Sequence, residues 1–465
     1  MLEMTRELTC DVLVVGGGSA GVAAAISAAR NGARTLLVEA SPMVGGELVS
    51  GISLLGMVST RGEWIVGGVA RALLDGVDRL GGYIGPVFDY RSLRLVCYDP
   101  ELMKFCVVQQ LQEAGVDMLL YTLATGVLRE GDSVRGVFLQ NKAGRHLVRA
   151  KVVIDASGDA DLVDAAGGRT ELGSEGKRFQ PPSLMFRMIG VDTARLLDSV
   201  VDNPGNYGLG EYPGLHMTQA QCAQALREQG QPKVVLLGDR GILKQAIADE
   251  EMFPTSIVAV LPVSTARREV SINCTQIADV DATDPKNLST ALPTFFGQIQ
   301  TAMRFLQRRV PGFESAQFSG VASKVGVRET RRIVGDFVLT EADVLEARKR
   351  DDVVAKGGHE IDLFAVTSHR RQTIREGGSY DLPLSVAIPT GVRNVFAVGR
   401  CISATREAQS SARVMGTCMA MGQAAGTAAA LCVADADWSG DVRDTPLKAL
   451  QSRLKAQGAV LESQA

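Results

Sequence analysis

Residues 11 to 39, DVLVVGGGSAGVAAAISAARNGARTLLVE, restrict the fold more than any other part of the chain. The apolar run 11–15 predicts a buried strand, 22–31 a helix that Gly32 stops, and 34–38 a second strand. Between strand and helix, Gly16-Gly17-Gly18-Ser19-Ala20-Gly21 has the spacing G-x-G-x-x-G. Glycines there allow a tight turn and let a pyrophosphate approach the backbone, while the helix start offers unpaired N–H groups to that anion. Glu39 closes the second strand about 20 residues further on, where a carboxylate accepts hydrogen bonds from a ribose. Strand, glycines, helix, strand and terminal acid together predict an α/β domain with a parallel sheet that binds a dinucleotide. A glycine-rich turn that binds nothing is the alternative.

With 465 residues the chain is long enough for two or more domains and a sizeable core. The 46% hydrophobic and 22% charged residues suit a soluble globular protein, and a net charge of −3 gives no case for nucleic acid or an anionic membrane as partner. None of the 8 cysteines forms C-x-x-C, so no zinc, cluster or dithiol site is expected, and their scatter fits a reducing, cytoplasmic setting. Two uncharged runs, 12–29 and 414–434, are long enough to imitate membrane spans. Glycines break the first, and the second is rich in Gly, Ala, Thr and Gln, as a buried helix would be. Arg6 is the only basic residue before the first run, which argues against a secretion signal.

After Glu39, Gly45-Gly46 makes a turn able to run close to a large planar ligand. Residues 48–68 carry too many glycines for a regular helix and are expected to wind over a ligand or form a mobile loop. An amphipathic helix is expected over 69–81. Asp99-Pro100 signals another helix start, with Asp99 as cap and Pro100 in the first turn. A strand is expected at 116–121, a hairpin at 127–129 and 133–140, and a short buried strand at 151–155. The last runs into Ala156-Ser157-Gly158-Asp159, a second place for backbone to meet the dinucleotide, though Asp159 also reads as a helix cap. Composition changes after Gly168, with strands expected at 183–189, 234–237 and 257–263 and a helix at 293–309. Residues 171–379 are therefore expected to be an inserted α+β substrate or cap domain. Residues 1–170 and 380–465 would be the two parts of the Rossmann-like domain. The second part holds a predicted strand, 394–398, running into Gly399-Arg400. A helix-like stretch from about Gly416 carries Gly422, Ala425, Gly426 and Ala429, small residues that permit close packing.

Within the insert, VRETRR places Arg328, Arg331 and Arg332 around Glu329, and His359-Glu360-Ile361-Asp362 and His369-Arg370-Arg371 follow. Each run alone reads as a solvated charged face. Three in the covering segment also fit a carboxylate ligand, because an arginine fork binds it with two parallel hydrogen bonds. His369 can exchange protons near neutral pH, and an ordinary surface or cap histidine is an equal reading.

GGGSAG with Glu39, DPELMKFCVVQQLQEAGV, KVVIDASGDADLVDAAGG, VRETRRIVGDFVLTEADV and NVFAVGRCISATREAQSSARVMGTCMAMGQAAGTAAA together resemble the FAD-dependent oxidoreductase family. That family is related to the fumarate reductase and succinate dehydrogenase flavoproteins and, more distantly, to glutathione reductase-type folds. The resemblance covers nearly the whole chain and is weakest over 191–291. It implies that Gly16, Gly18, Ser19, Ala20 and Gly21 hold the pyrophosphate and Glu39 the adenosine ribose. Ala40, Gly45, Gly46, Glu47 and Leu48 would line the path towards the isoalloxazine. Ala124, Gly158 and Asp159 would lie at the adenosine end, and Gly399 and Arg400 by the ribityl-phosphate segment. Arg413, Thr417, Cys418 and Met419 would lie by the flavin pyrimidine ring. Two departures stand out. Residues 46–60 contain no histidine, so the FAD is expected to be non-covalent. Relatives with S-A-T-H-E-A have a histidine where this chain has Arg406.

These readings predict a dehydrogenase transferring a hydride between flavin N5 and a small polar, carboxylate-bearing substrate. Arg328 and Arg331 would hold the carboxylate, and His369 or Arg400 would assist proton transfer. Electrons would pass to an acceptor that the sequence does not identify, and a homodimer is suggested by family analogy alone. An alkene reductase, a monooxygenase or halogenase, an NAD-dependent dehydrogenase and a non-catalytic flavin-binding subunit are the competing readings.

Overall fold

The computed structural model describes residues 4–462 apart from 175 and 177, so the outer ends of the first and last expected segments lie outside the described residues. The first sheet forms as the βαβ pattern requires. Strand Met4–Val15 is followed by helix Ser19–Arg30 and strand Thr35–Val38. Across this sheet the strands run Asp117–Leu119, Thr35–Val38, Met4–Val15, Gly144–Asp155, Ser133–Asn141 and Leu123–Glu130. A seventh, Val395–Ala397, pairs in parallel with the end of Gly144–Asp155. The strands nearest the glycines are parallel, and the hairpin adds an antiparallel edge.

Register explains where a ligand can sit. Val15 lies opposite both Val38 and Asp155, and Asp155 lies opposite Ala397. Three segments therefore leave the sheet side by side at its carboxyl edge: the glycine loop, residues 156–159 and residues 398–400. The chain leaves Met4–Val15 to Thr35–Val38 on one side and later returns to Gly144–Asp155 on the other, and the crevice at such a switch point is where doubly wound sheets bind ligands.

Helix Met415–Ala434 lies against Ser19–Arg30 and is buried along nearly its whole length. By length and composition it is apolar enough to span a membrane, yet 78% of its most apolar window is buried inside the protein. It is a core helix.

A second, antiparallel sheet is built by the insert. Its order is Val234–Leu237, Ile257–Ser264, Glu269–Asn273, Phe186–Ile189 and Gln317–Val321. Helices Thr193–Asp202, Gln219–Gln229 and Pro285–Arg309 belong to this region, and Leu196, Leu226, Phe295 and Phe305 close one core with Phe186 and Val260. Leu339, Val354, Ile361 and Ile374 instead join the core of the first sheet. The compositional insert thus contributes to two cores.

Helix Pro285–Arg309 starts earlier than the sequence predicts. Pro293 reads as a first-turn residue, but it lies inside the helix on an exposed face. Water can reach the carbonyl that this proline leaves unpaired, so the helix continues through it. Strand Gly144–Asp155 is also longer than expected, because its polar first half pairs with Ser133–Asn141 and with Met4–Val15.

Candidate active site

A cavity opens where the carboxyl edge of the first sheet faces the insert. Its wall takes in Gly18, Ser19 and Ala20 from the glycine loop, and Gly158 and Gly399-Arg400 from the two other strand ends. Glu47 and Leu55 come from the segment after Gly45-Gly46, Lys324 and Arg328 from the insert, and Arg413 and Cys418 from the approach to the last core helix.

The glycine loop tests directly for an anion with a backbone-hugging path. A Cβ on Gly16, whose φ is +104°, would lie 2.3 Å from the Ala156 carbonyl oxygen, and one on Gly21 would lie 1.8 Å from the Gly16 carbonyl oxygen. These two glycines serve the fold. Gly18 differs: a Cβ there meets nothing within 4 Å, and its φ of −72° suits any residue. Gly18 also caps the helix without a side-chain bond, so the first N–H groups of Ser19–Arg30 have no intrahelical acceptor. A pyrophosphate fits this cradle. Gly18→Ala is therefore expected to fold normally but bind FAD at least about tenfold more weakly, by filling the cradle with a methyl group. Fluorescence titration of the apoprotein with FAD, beside far-UV circular dichroism, checks both halves.

Glu39 is set by its own backbone contacts. Its Oε2 accepts the Gly17 N–H at 2.6 Å and its Oε1 the Ser41 N–H at 2.8 Å, which leaves lone pairs on both oxygens for ribose hydroxyls. Ala124 lies just beyond Thr122, whose N–H donates to the Glu39 carbonyl at 3.1 Å. Gly45 N–H donates to the Gly17 carbonyl at 2.7 Å, which draws the Ala40–Leu48 segment alongside the glycine loop. At the far end, Arg413 Nε and Thr417 Oγ1 are buried without hydrogen-bond partners among the described residues. Unpaired donors at the start of a helix fit the acceptor-rich edge of a flavin pyrimidine ring. Met419 is buried in the core behind them.

The cavity is strongly cationic. Lys324, Arg328, Arg400 and Arg413 line it, and Glu47 is the one acidic side chain among its lining residues. Arg400 is already engaged: its Nη2 donates to Asp159 at 2.6 Å, its Nε to the Gly158 carbonyl at 2.9 Å and its Nη1 to the Val327 carbonyl at 2.6 Å. Asp159 in turn accepts the Thr330 hydroxyl at 2.6 Å. Burial pushes the Asp159 carboxyl up, but Arg400 and Thr330 outweigh it and hold the group below the ordinary range. Arg400 thus pins the 156–159 loop to the insert rather than standing free for proton transfer. Arg328 and Arg413 have no salt-bridge partner among the described residues. Burial, then their mutual repulsion in the case of Arg328, pulls both guanidinium groups below the usual arginine range.

Two predicted catalytic residues do not reach the cavity wall. Arg331 turns outward to Asp161 at 3.1 Å and Asp164 at 3.6 Å. His369 is bonded through Nε2 to Asp362 on the paired strand, and its ring stacks on Phe364 with centroids 4.1 Å apart. The Arg328 guanidinium lies over that Phe364 ring at 4.4 Å. His369 is therefore one ring removed from the cavity. Arg406, where the sequence departs from the expected S-A-T-H-E-A pattern, donates to Glu329 at 2.9 and 3.1 Å. Lys324, Ser183 and Asn273 line the cavity although no motif in the sequence marks them. Only Lys324 has a local signal, its closeness to VRETRR.

Residues 11–454 match the family described as FAD dependent oxidoreductase. The chain belongs to that family, and it is an enzyme whose coenzyme is FAD. Digeranylgeranylglycerophospholipid reductase from Methanoculleus marisnigri is 32% identical over 172 residues, 34% of this chain and 41% of that protein. Digeranylgeranylglycerophospholipid reductase 2 from Methanopyrus kandleri is 32% identical over 192 residues, 39% of this chain and 45% of that protein. The chain spans less than half the length of these curated relatives. A solved geranylgeranyl bacteriochlorophyll reductase-like protein from Thermoplasma acidophilum is 16% identical, with a TM-score of 0.47 over 97% of this chain and 85% of the other.

Proposed function

We propose that this oxidoreductase moves a hydride between a small, carboxylate-bearing substrate and FAD, acting as a dehydrogenase. Arg328 carries the reading. It lines the cavity, is buried, and among the described residues donates only through Nη1, to the Pro181 carbonyl, with no bonded carboxylate. Asp362 and Glu47 act on this cation only from a distance, none of the described carboxylates bonds to it, and a substrate carboxylate on its fork would supply that partner. When bound, FAD accepts or returns the hydride at N5. In this reading Arg328 orients the substrate, Arg413 and Thr417 donate to the coenzyme, and Phe364 backed by His369 holds the Arg328 plane. Kinship with the fumarate reductase and succinate dehydrogenase flavoproteins, a cytoplasmic setting, a separate electron acceptor and a homodimer belong to the same proposal.

Arg328→Ala is expected to lower kcat/KM by at least about 100-fold, since two hydrogen bonds to a charged group are worth about 3 kcal/mol or more, with Arg328→Lys in between. Unchanged kinetics in Arg328→Ala would remove the residue from the site. The absence of histidine over 46–60 gives a further expectation. Acid precipitation should leave all the yellow colour in the supernatant, and a yellow pellet would show a covalent link.

A second reading, reduction of an activated alkene, is favoured by the reductases among the relatives. Anaerobic mixing separates the two. Bleaching of oxidised enzyme by a hydroxy acid supports the dehydrogenase, and reoxidation of dithionite-reduced enzyme by an enoate supports the reductase.

A further inference from the structure

The insert closes the cavity with the ends of three neighbouring strands. Ser183 and Met185 precede Phe186–Ile189, Asn273 ends Glu269–Asn273, and Ala322 follows Gln317–Val321. The backbone of this wall is already satisfied. Ser183 N–H donates to the Gly326 carbonyl at 3.0 Å, and Gly326 N–H returns the bond at 2.7 Å. Ala322 N–H donates to the Met185 carbonyl at 2.9 Å, and Leu184 N–H to Thr275 Oγ1 at 2.7 Å.

Two side chains on this fixed wall are left over. Ser183 is 4% exposed, and its Oγ is buried with no hydrogen-bond partner among the described residues. Asn273 lines the same cavity, and its amide bonds to no described residue. By contrast Ser53, also on the cavity wall, is met by Cys97 Sγ at 3.4 Å. A buried hydroxyl without a partner, as at Ser183, is an exception that calls for a ligand or water, and the half-buried Asn273 amide is open to the same ligand. Both groups stand on the insert, as Arg328 does.

We infer that Ser183 and Asn273 recognise a second oxygen on the substrate, so that the acid held by Arg328 is a short hydroxy- or keto-acid. The inference rests on the carboxylate reading of Arg328. Its chemical basis is that a substrate hydroxyl both donates and accepts, whereas the carbonyl formed by its oxidation only accepts. A serine hydroxyl and a carboxamide each carry donor and acceptor capacity, so the pair serves both oxidation states. A site built to hydrogen-bond a substrate oxygen also rejects the analogue that lacks it.

The test is an anaerobic titration of the FAD-bound protein, reading perturbation and bleaching of the flavin absorbance. The probes are glycolate with acetate, lactate with propionate and malate with succinate, beside the neutral glycolamide and lactamide. At least one hydroxy acid should bind about tenfold or more tightly than its deoxy partner. Ser183→Ala and Asn273→Leu should each reduce that ratio towards one, whereas Arg328→Ala should weaken both acids of the pair alike. Ser183→Ala removes an unpartnered oxygen, so folding should be unharmed. Asn273→Asp, close in shape, should repel every acid. A ratio near one in the wild type, or one unchanged in both Ser183→Ala and Asn273→Leu, overturns the inference and leaves the Arg328 reading standing. Neutral hydroxyamides binding as tightly as the hydroxy acids, with the preference lost in both variants, overturns the Arg328 reading and keeps the oxygen contact. No perturbation by any probe overturns both.

Discussion

Gly422→Ala is expected to yield a destabilised protein that loses FAD on gel filtration. A Cβ at Gly422 would lie 2.1 Å from the Ala20 carbonyl oxygen, and one at Gly426 would lie 2.1 Å from the Ala24 carbonyl oxygen. The two glycines are four residues apart on one face of Met415–Ala434, and their partners are four apart on Ser19–Arg30. The obstacle is backbone in both cases, so no rotamer change relieves it. Alanine adds about 1 kcal/mol of helix propensity, but overpacking a fixed core costs about 1–3 kcal/mol and sometimes more. A net loss of up to about 2 kcal/mol is expected for either variant in denaturant unfolding. The double variant should lose less than the sum, since one displacement of the helix relieves both clashes. Binding is expected to suffer as well, because Ala20 lies on the cavity wall in the first helical turn, whose free N–H groups suit a pyrophosphate. Gly297→Ala is the control. It sits within Pro285–Arg309 with nothing within 4 Å of its Cβ, so it should gain about 1 kcal/mol. Should Gly422→Ala behave like Gly297→Ala, the helices do not approach as described.

The same two helices show what the sequence reveals and what it leaves hidden. The glycine loop is legible because its demands are local: a turn, a helix start and an acid at the next strand end all fall between residues 11 and 39. Gly422 and Gly426 are legible as small residues, but the helix they pack on lies about 400 positions earlier in the chain. Nothing local identifies it. Asp99 is a local case that holds, since its Oδ1 accepts the Glu101 N–H at 2.9 Å and the Leu102 N–H at 3.4 Å. Arg331 and Arg328 show the limit. They stand three apart in one basic run, yet one meets exposed aspartates and the other faces the cavity without an ion-pair partner. Side-chain direction decides this, and a run of like residues does not report it. Ser183 and Asn273 carry no signal in the sequence because their significance is the absence of a partner, which only packing establishes.

Glu329→Ala should be more damaging to stability than removal of any arginine around it. The Glu329 side chain is fully buried. Its carboxylate accepts Arg406 Nε on both oxygens at 2.9 and 3.1 Å, Arg332 Nη1 at 3.3 Å and the Gln180 N–H at 2.8 Å. It therefore ties the start of the insert, the short strand Arg331–Ile333 and the helix Arg406–Ala412 together at a single point. This also accounts for Arg406, whose guanidinium has a buried carboxylate to meet. Arg332 has only 5% of its side chain exposed, so without Glu329 it is left with the Ala404 and Gly173 carbonyls and, at 3.5 Å, the exposed Glu171. Breaking a buried pair by removing one partner costs about 3–5 kcal/mol, because the remaining charge stays desolvated. Glu329→Gln keeps the shape and one acceptor oxygen but loses the charge, and should cost less. Arg406→Ala should cost less again, since its side chain is 27% exposed and water can replace part of what it offers. The order Ala at 329, then Gln at 329, then Ala at 406 is read from denaturant midpoints of the FAD-bound protein. Equal midpoints for Glu329→Ala and Arg406→Ala would mean that Glu329 serves Arg406 alone, and that Arg332 does not depend on it.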